Sequence, residues 1–101
     1  MPRPLTSSHA TAITVHIPGP LRECCGGAPE IVLVAADLRA LLTELERLQP
    51  ALHRAVCDDT GAVRRHVNLF VNNEHMRDRH GLDTPLIPGD AVTIMPAVSG
   101  G

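Results

Sequence analysis

Leucines recur at helical spacing in the middle of the chain. They occupy positions i, i+3, i+4, i+7 and i+10 of one segment: Leu38, Leu41, Leu42, Leu45 and Leu48. This spacing predicts an amphipathic helix with one apolar stripe. Asp37 is placed to cap its start, and Pro50 limits its far end. Because burying each leucine stabilises a fold by about 1.5–3 kcal/mol, the helix is expected to lie across a sheet.

Short apolar segments on both sides of the helix predict the strands of that sheet. In the first of them Ile13, Val15 and Ile17 alternate with more polar residues, which is typical of a half-buried strand. The second is a continuous apolar run, and two later segments alternate again. The predicted strands are residues 12–17, 31–34, 67–71, 75–76 and 91–95.

The order of these elements indicates the fold class. The first two strands can form a hairpin, the helix then crosses over, and the last strand can run parallel beside the first. A four- to five-stranded mixed sheet with one main helix packed on it is a β-grasp fold of the α+β class.

A chain of 101 residues is long enough for one domain. We expect a flexible N-terminal segment over residues 1–10, a β-grasp domain over 11–95 and a flexible C-terminal tail over 96–101. Residues 22–30 are predicted to form a loop. Residues 50–66 are predicted to be a long connection, with a turn at Asp58-Asp59-Thr60-Gly61.

Charge and hydropathy exclude several classes of partner. The net charge of −2 argues against nucleic-acid binding, which favours a basic surface. No apolar run approaches the length of a membrane span, and the N-terminus lacks the apolar core of a signal peptide. We therefore expect no membrane partner and a cytoplasmic protein.

The thiols and imidazoles do not fall at the spacing of a metal or redox site. Cys24, Cys25 and Cys57 form no CxxC pair, and a ferredoxin, which shares the β-grasp fold, needs four cysteine ligands. The six histidines are scattered, and the closest candidate pair, His75 and His80, has no thiol or carboxylate at ligand spacing. We predict no metal site, no catalytic residue and no cofactor bound by this chain.

The sequence ends in two glycines, Gly100 and Gly101, a few residues after the last predicted strand. Glycine has no Cβ, so such an end can enter a channel too narrow for side chains and present its carboxylate to another protein. A frayed terminus is the alternative interpretation.

The chain resembles the sulfur-carrier family of MoaD/ThiS type in pattern over roughly residues 12–101, and most strongly over residues 67–101. The resemblance rests on VNLFVNNEHM at residues 67–76, on PGDAVTIMPAV at 88–98 and on the final Gly-Gly. Its ending is most similar to the molybdopterin and cysteine-synthesis branches of that family. The thiamine branch is a poorer match because its carriers are typically shorter and lack the connection at 50–66.

This resemblance implies a function and partners. An E1-like enzyme would adenylate the Gly101 carboxylate, and a sulfur donor would convert it to a thiocarboxylate. The sulfur would then pass to a biosynthetic enzyme, either a PLP-dependent cysteine synthase or the large subunit of molybdopterin synthase. The chain would be the substrate of these enzymes and not itself an enzyme.

A tail and an apolar patch are the predicted contact residues. Beyond the last strand, six extended residues reach at most about 20 Å, and a proline at their root reduces the entropy lost on docking. Strand alternation places Phe70, Thr93 and Met95 together on the outer sheet face, as a patch that docks partner enzymes. The alternative is that Phe70 is an ordinary core residue under the loop at 72–90. The predicted tail residues are Pro96, Ala97, Val98, Ser99, Gly100 and Gly101.

Two other functions remain open from the sequence. A ubiquitin-like modifier would use the same adenylated Gly101 but transfer it to lysine amines of other proteins. The chain contains no lysine, so it could not form lysine-linked chains on itself. A plain interaction domain with an accidental Gly-Gly end would be insensitive to deletion of Gly101.

Overall fold

The computed structural model describes residues 12–96. The predicted N-terminal segment and tail residues 97–101 lie outside the described residues. Five strands and two α-helices form the domain, joined in part by short 3₁₀ helices at Gly19–Cys25, Met76–Asp78 and Gly81–Asp83. The elements in chain order are β1 (Ala12–His16), β2 (Glu30–Val34), α1 (Leu38–Leu48), α2 (Pro50–Val56), β3 (Val67–Val71), β4 (Glu74–His75) and β5 (Ala91–Pro96).

The strands form one mixed sheet in the order β2-β1-β5-β3-β4. β1 and β2 are an antiparallel hairpin, β5 lies parallel to β1, and β3 lies antiparallel to β5. This arrangement confirms the predicted β-grasp topology, including the parallel placement of the first and last strands. β5 is therefore an interior strand, paired on both sides.

The leucine stripe of α1 packs on one face of this sheet. Leu38, Leu41, Leu42 and Leu45 are buried, whereas Leu48 is 46% exposed because the helix ends there. Asp37 caps the helix as predicted, since its Oδ1 accepts a hydrogen bond of 2.8 Å from the backbone N–H of Ala40. Alternate residues of the strands form the sheet side of the same core. They are Ile13, Val15, Leu69, Val71, Val92 and Ile94.

The prediction that residues 50–66 are only a long connection is wrong, because this stretch begins with a second helix. Pro50 stands in the first turn of α2, where a missing N–H costs nothing, so the proline that ends α1 also begins α2. Leu52 and Val56, four residues apart, bury the inner side of this short helix. Likewise, part of the predicted loop at 22–30 belongs to the 3₁₀ helix Gly19–Cys25.

The predicted turn at residues 58–61 is present and is organised by one carboxylate. Asp58 Oδ1 accepts hydrogen bonds from the Thr60 hydroxyl and from the backbone N–H groups of Thr60 and Ala62. The hydroxyl bond is the largest influence lowering the pKa of Asp58, because it stabilises the charged form.

Strand β2 differs from the buried strand that its apolar run predicts. Leu33 is buried and Ile31 is half-buried, but Val32 is 63% exposed and Val34 is 50% exposed. The reason is position: β2 lies at the edge of the sheet, and the helices cover only one face of it.

The helices are short, with 11 residues in α1 and 7 in α2. Within residues 12–96, none is both long and apolar enough to cross a lipid bilayer.

Candidate functional site

Strands β3 and β5 bring the predicted patch residues together. Phe70 lies directly opposite Thr93 in the antiparallel register, and Asn68 lies opposite Met95. Because Leu69, Val92 and their alternate neighbours face the helices, these four residues face away from them. We call Phe70, Thr93 and Met95 the outer patch.

The outer patch is accessible and slightly concave. Met95 is 49% exposed, and the side chains of Phe70 and Thr93 are half-buried. With Asn72 and Asn73 they line a shallow cavity of about 270 Å³. Phe70 therefore lies on the outer face of the sheet and not in the core, the alternative that its sequence left open.

A histidine that sequence reasoning did not assign to the patch holds the Phe70 ring. His75 packs edge-on against Phe70, with ring centroids 5.2 Å apart at an interplanar angle of 75°. Its Nδ1 accepts a hydrogen bond of 3.0 Å from the backbone N–H of Arg77, so the proton lies on Nε2, which is 2.9 Å from Asn68 Oδ1. The imidazole is thus fixed at both nitrogens and supports one edge of the patch.

The sequence carried a signal for this contact. Asn72 and Asn73 were predicted to form a turn, and Asn72 adopts a left-handed φ of 57°, which asparagine tolerates better than most residues. A tight hairpin across this turn places His75 opposite Phe70, which is the observed pairing. A two-residue turn at Asn72-Asn73 thus sets the register that brings His75 beside Phe70.

Asn72 also joins the end of β3 to the start of β5. Its Nδ2 donates to Asp90 Oδ1 at 3.1 Å, and its Oδ1 accepts from the Ala91 N–H at 3.1 Å. Its own backbone N–H donates to the Ala91 carbonyl at 2.7 Å. These bonds fix the register of the two strands that carry the outer patch.

The root of the predicted tail belongs to the sheet. Pro96 was predicted to lie beyond the last strand, but it is the final residue of β5 and pairs with Val67. Residues 97–101 lie outside the described residues. Five residues span at most about 18 Å when fully extended, so a tail that starts at Ala97 has slightly less reach than the predicted six.

The cysteines lie away from the outer patch. Cys25 and Cys57 are buried, Cys24 is half-buried, and all three are free thiols. Burial is the main cause that raises the pKa of Cys57 to about 11, with the neighbouring Asp58 charge adding to it. Within the part of the chain that the structure describes, no three His, Cys, Asp or Glu side chains cluster closely enough to hold a metal ion.

A larger cavity of about 540 Å³ lies on the helix side of the molecule, opposite the outer patch. It is lined by both charge signs, including Arg39, Arg54, Glu46 and Asp58, with buried Cys57 among its wall residues. Sequence reasoning did not predict this cavity, because it is formed by the side of α1 and the unpredicted α2.

Comparisons with known proteins agree with this architecture. Residues 15–101 match the model of the ThiS family. The sulfur carrier protein CysO of Mycobacterium tuberculosis is 37% identical over 91 residues, which cover 88% of this chain and 98% of CysO.

Two solved structures extend the comparison. A chain in the crystal structure of the Amycolatopsis orientalis BexX/CysO complex matches with a TM-score of 0.80 and 31% identity, over 89% of this chain and 100% of that one. Small archaeal modifier protein 1 of Methanosarcina acetivorans matches with a TM-score of 0.80 and 28% identity, over 92% and 99% of the two chains. The predicted resemblance to carriers of MoaD/ThiS type is confirmed, and the chain belongs to the ThiS family.

Proposed function

We propose that this protein is a sulfur carrier that holds sulfur as a thiocarboxylate on Gly101. The observation that carries the proposal is the family match, which runs through residue 101 and so includes the Gly-Gly end. The similarity to CysO, a protein named as a sulfur carrier, supports the same role over most of the chain.

The chemistry takes place on the chain and is performed by its partners. An E1-like enzyme joins the Gly101 carboxylate to the α-phosphate of ATP, and pyrophosphate leaves. A sulfur donor then attacks the acyl carbon, the C–S bond forms, and AMP leaves. The chain itself supplies no catalytic group and binds no cofactor in this scheme, so it is a substrate and not an enzyme.

The body of the domain contributes affinity that a short tail lacks. An extended five-residue segment buries little surface, whereas a half-exposed aromatic residue beside an exposed methionine is the kind of anchor that dominates protein interfaces. Met95 immediately precedes Pro96, so a partner held on the outer patch is next to the root of the tail. The outer patch is accordingly the proposed docking surface for both the activating enzyme and the sulfur acceptor.

Cysteine synthesis is the proposed destination of the sulfur, with a PLP-dependent cysteine synthase as the acceptor. The similarity to CysO favours this branch over molybdopterin synthesis, in which the chain would form a stable complex with a larger catalytic subunit. In either case the cofactor or substrate of the acceptor belongs to that enzyme.

Protein conjugation is the second candidate function. It is favoured by the similarity to small archaeal modifier protein 1. The two functions share the adenylate and differ in the nucleophile that attacks it, which is a sulfur donor in one case and a lysine amine in the other. Because the chain has no lysine of its own, conjugates would carry single copies and not lysine-linked chains.

Intact mass spectrometry of the protein, purified from its host without reducing agent, tests the carrier role. We expect a species in which one carboxylate oxygen is replaced by sulfur, with the change mapped to Gly101. Cysteine attached to the same residue would identify the cysteine branch. If only the carboxylate form is found, even after incubation with ATP, host extract and sulfide, the carrier proposal is wrong.

Replacing Phe70 by serine tests the outer patch. We expect binding to the activating enzyme to weaken by at least about 10-fold, because a central aromatic anchor is lost. The fold should remain intact, since the ring is only half-buried. The measurement is calorimetric titration with the enzyme, alongside a thermal melt.

Leu48→Ser is the matched control for this experiment. Leu48 is an exposed apolar residue on the helix side of the sheet, so its loss should leave binding unchanged. Unfolding of the Phe70→Ser variant, or equal effects of the two substitutions, would contradict the role of the patch.

A further inference from the structure

Among residues 12–96, no strand pairs with the outer edge of β2. Within residues 12–96 the sheet ends at this strand, and β1 is its sole strand partner there. A free edge presents unpaired N–H and C=O groups that can bind another strand.

The register identifies which backbone groups point outward. The Ile17 N–H donates to the Pro29 carbonyl at 2.9 Å, and hydrogen-bonded pairs alternate along an antiparallel ladder, so Ile31 and Leu33 bond to β1. The residues between them direct their N–H and C=O groups away from β1; they are Glu30, Val32 and Val34. Thr14, which lies opposite Val32, donates its N–H to the Asp90 carbonyl on the β5 side of β1. Because Thr14 points away from β2, this bond agrees with the alternation.

The same residues form an apolar surface. Val32 is 63% exposed and Val34 is 50% exposed, both on the sheet face away from the helices. Natural edge strands are usually protected by charges, prolines or bulges. β2 has a single charge, Glu30 at its first position, and neither a proline nor a bulge over Glu30–Val34.

We propose that this edge pairs with β2 of a second copy of the chain. The three outward-facing residues are symmetric about Val32, so a two-fold axis at Val32 pairs it with the partner's Val32. Glu30 then lies opposite the partner's Val34, and Val34 lies opposite the partner's Glu30. Each of these pairs can exchange two backbone hydrogen bonds, which satisfies the open edge of both copies.

The charge distribution fits this symmetric pairing. In this register the two Glu30 residues lie four positions apart along the ladder, or about 13 Å. This exceeds the Debye length of about 8 Å at physiological ionic strength, so their repulsion is screened. The two Val32 side chains meet at the two-fold axis, and each Glu30 lies opposite a valine, so no like charges are paired across the ladder.

The helix side of the joint also has room for a second copy. A groove of about 620 Å³ lies beside the end of β2, between Val34 and the first turns of α1, and its wall includes the small residues Ala36, Ala40 and Thr43. The partner's Ile31 would lie opposite Leu33 on this side of the sheet, next to the groove. A half-buried isoleucine would thereby become buried in the pair.

The pairing is expected to be weak and to leave the outer patch free. Five residues per copy form a smaller interface than those of stable complexes, so we expect association that is detectable only at high protein concentration. β5 and β3 lie two and three strands away from β2, or about 10 and 14 Å. The dimer therefore presents two separate outer patches.

Backbone NMR of the full chain between 20 µM and 1 mM tests the proposal without any enzyme or sulfur donor. The amides of Glu30, Val32 and Val34 should shift and gain exchange protection as concentration rises, while those of Ile31 and Leu33 stay unchanged. Absence of any concentration dependence would overturn the proposal. So would protection of the three outward amides already in dilute protein, which would mean that residues preceding Ala12 cover the edge.

Val32→Lys supplies the matching variant. It should abolish the concentration dependence, because two lysines would meet at the two-fold axis. Leu48→Lys adds the same charge at an exposed apolar site far from β2 and should leave association unchanged. Val32→Pro removes an N–H that does not bond to β1. If a thermal melt shows that this variant is folded, its loss of association would identify the backbone hydrogen bonds of the edge as the contact. Association that survives both Val32 substitutions would refute it.

Discussion

Deletion of Gly101 is expected to prevent thiocarboxylate formation while leaving the domain fully folded. The deletion moves the terminal carboxylate back by one residue, or about 3.5 Å when the chain is extended. A displacement of even 1 Å from the productive geometry can reduce a reaction rate about 100-fold, so we expect a loss of at least that size. The measurement is the rate of adenylate-dependent sulfur incorporation, followed by intact mass spectrometry.

Two further variants sharpen this test. Gly100→Val keeps the chain length but adds a branched side chain next to the reacting carbonyl, and it should cause a comparable loss because a narrow channel excludes it. Ala97→Val adds similar bulk at the start of the tail and should have a much smaller effect. Normal thiocarboxylate formation by the Gly101 deletion would contradict the requirement for a carboxylate at this exact position.

Replacing Leu45 by alanine should destabilise the domain by about 2–5 kcal/mol. Leu45 is fully buried in the centre of the α1 stripe, so its truncation loses transfer free energy and leaves a cavity. A domain of this size has a total stability of about 5–15 kcal/mol, and this one substitution removes a large share of it. Urea denaturation should give a lower midpoint with an unchanged slope.

Leu48→Ala is the matched control for the core prediction. It makes the same chemical change in the same helix, one turn later, where the leucine is 46% exposed. We expect it to cost less than about 1 kcal/mol, because little surface returns to water and no cavity forms. Equal costs at the two positions would mean that α1 does not pack on the sheet as described.

The elements that the sequence predicted well are those whose periodicity is strong and local. Eleven residues of α1 carry four buried leucines at helical spacing, and Asp37 marks its first turn. The alternation in β3 and β5 likewise predicts Phe70, Thr93 and Met95 on one face, and the observed register agrees. In both cases the signal lies within the element itself.

The features that were missed depend on information outside the segment concerned. α2 has only Leu52 and Val56 as buried residues, too few for a periodic pattern, and a proline marks the start of a helix as readily as the end of one. The run at residues 31–34 is apolar throughout, and such a run does not distinguish an interior strand from an edge strand. The exposure of Val32 and Val34 follows from the strand order, which is set by non-local pairing.

The interior position of β5 also determines how the domain bears mechanical load. Any tension applied to the chain after Pro96 would act along the axis of a strand bonded to β1 on one side and to β3 on the other. Force in that direction shears two ladders at once, whereas the same pull on an edge strand peeled sideways would break its bonds one after another. Tension transmitted through Pro96 should therefore meet resistance from both ladders together.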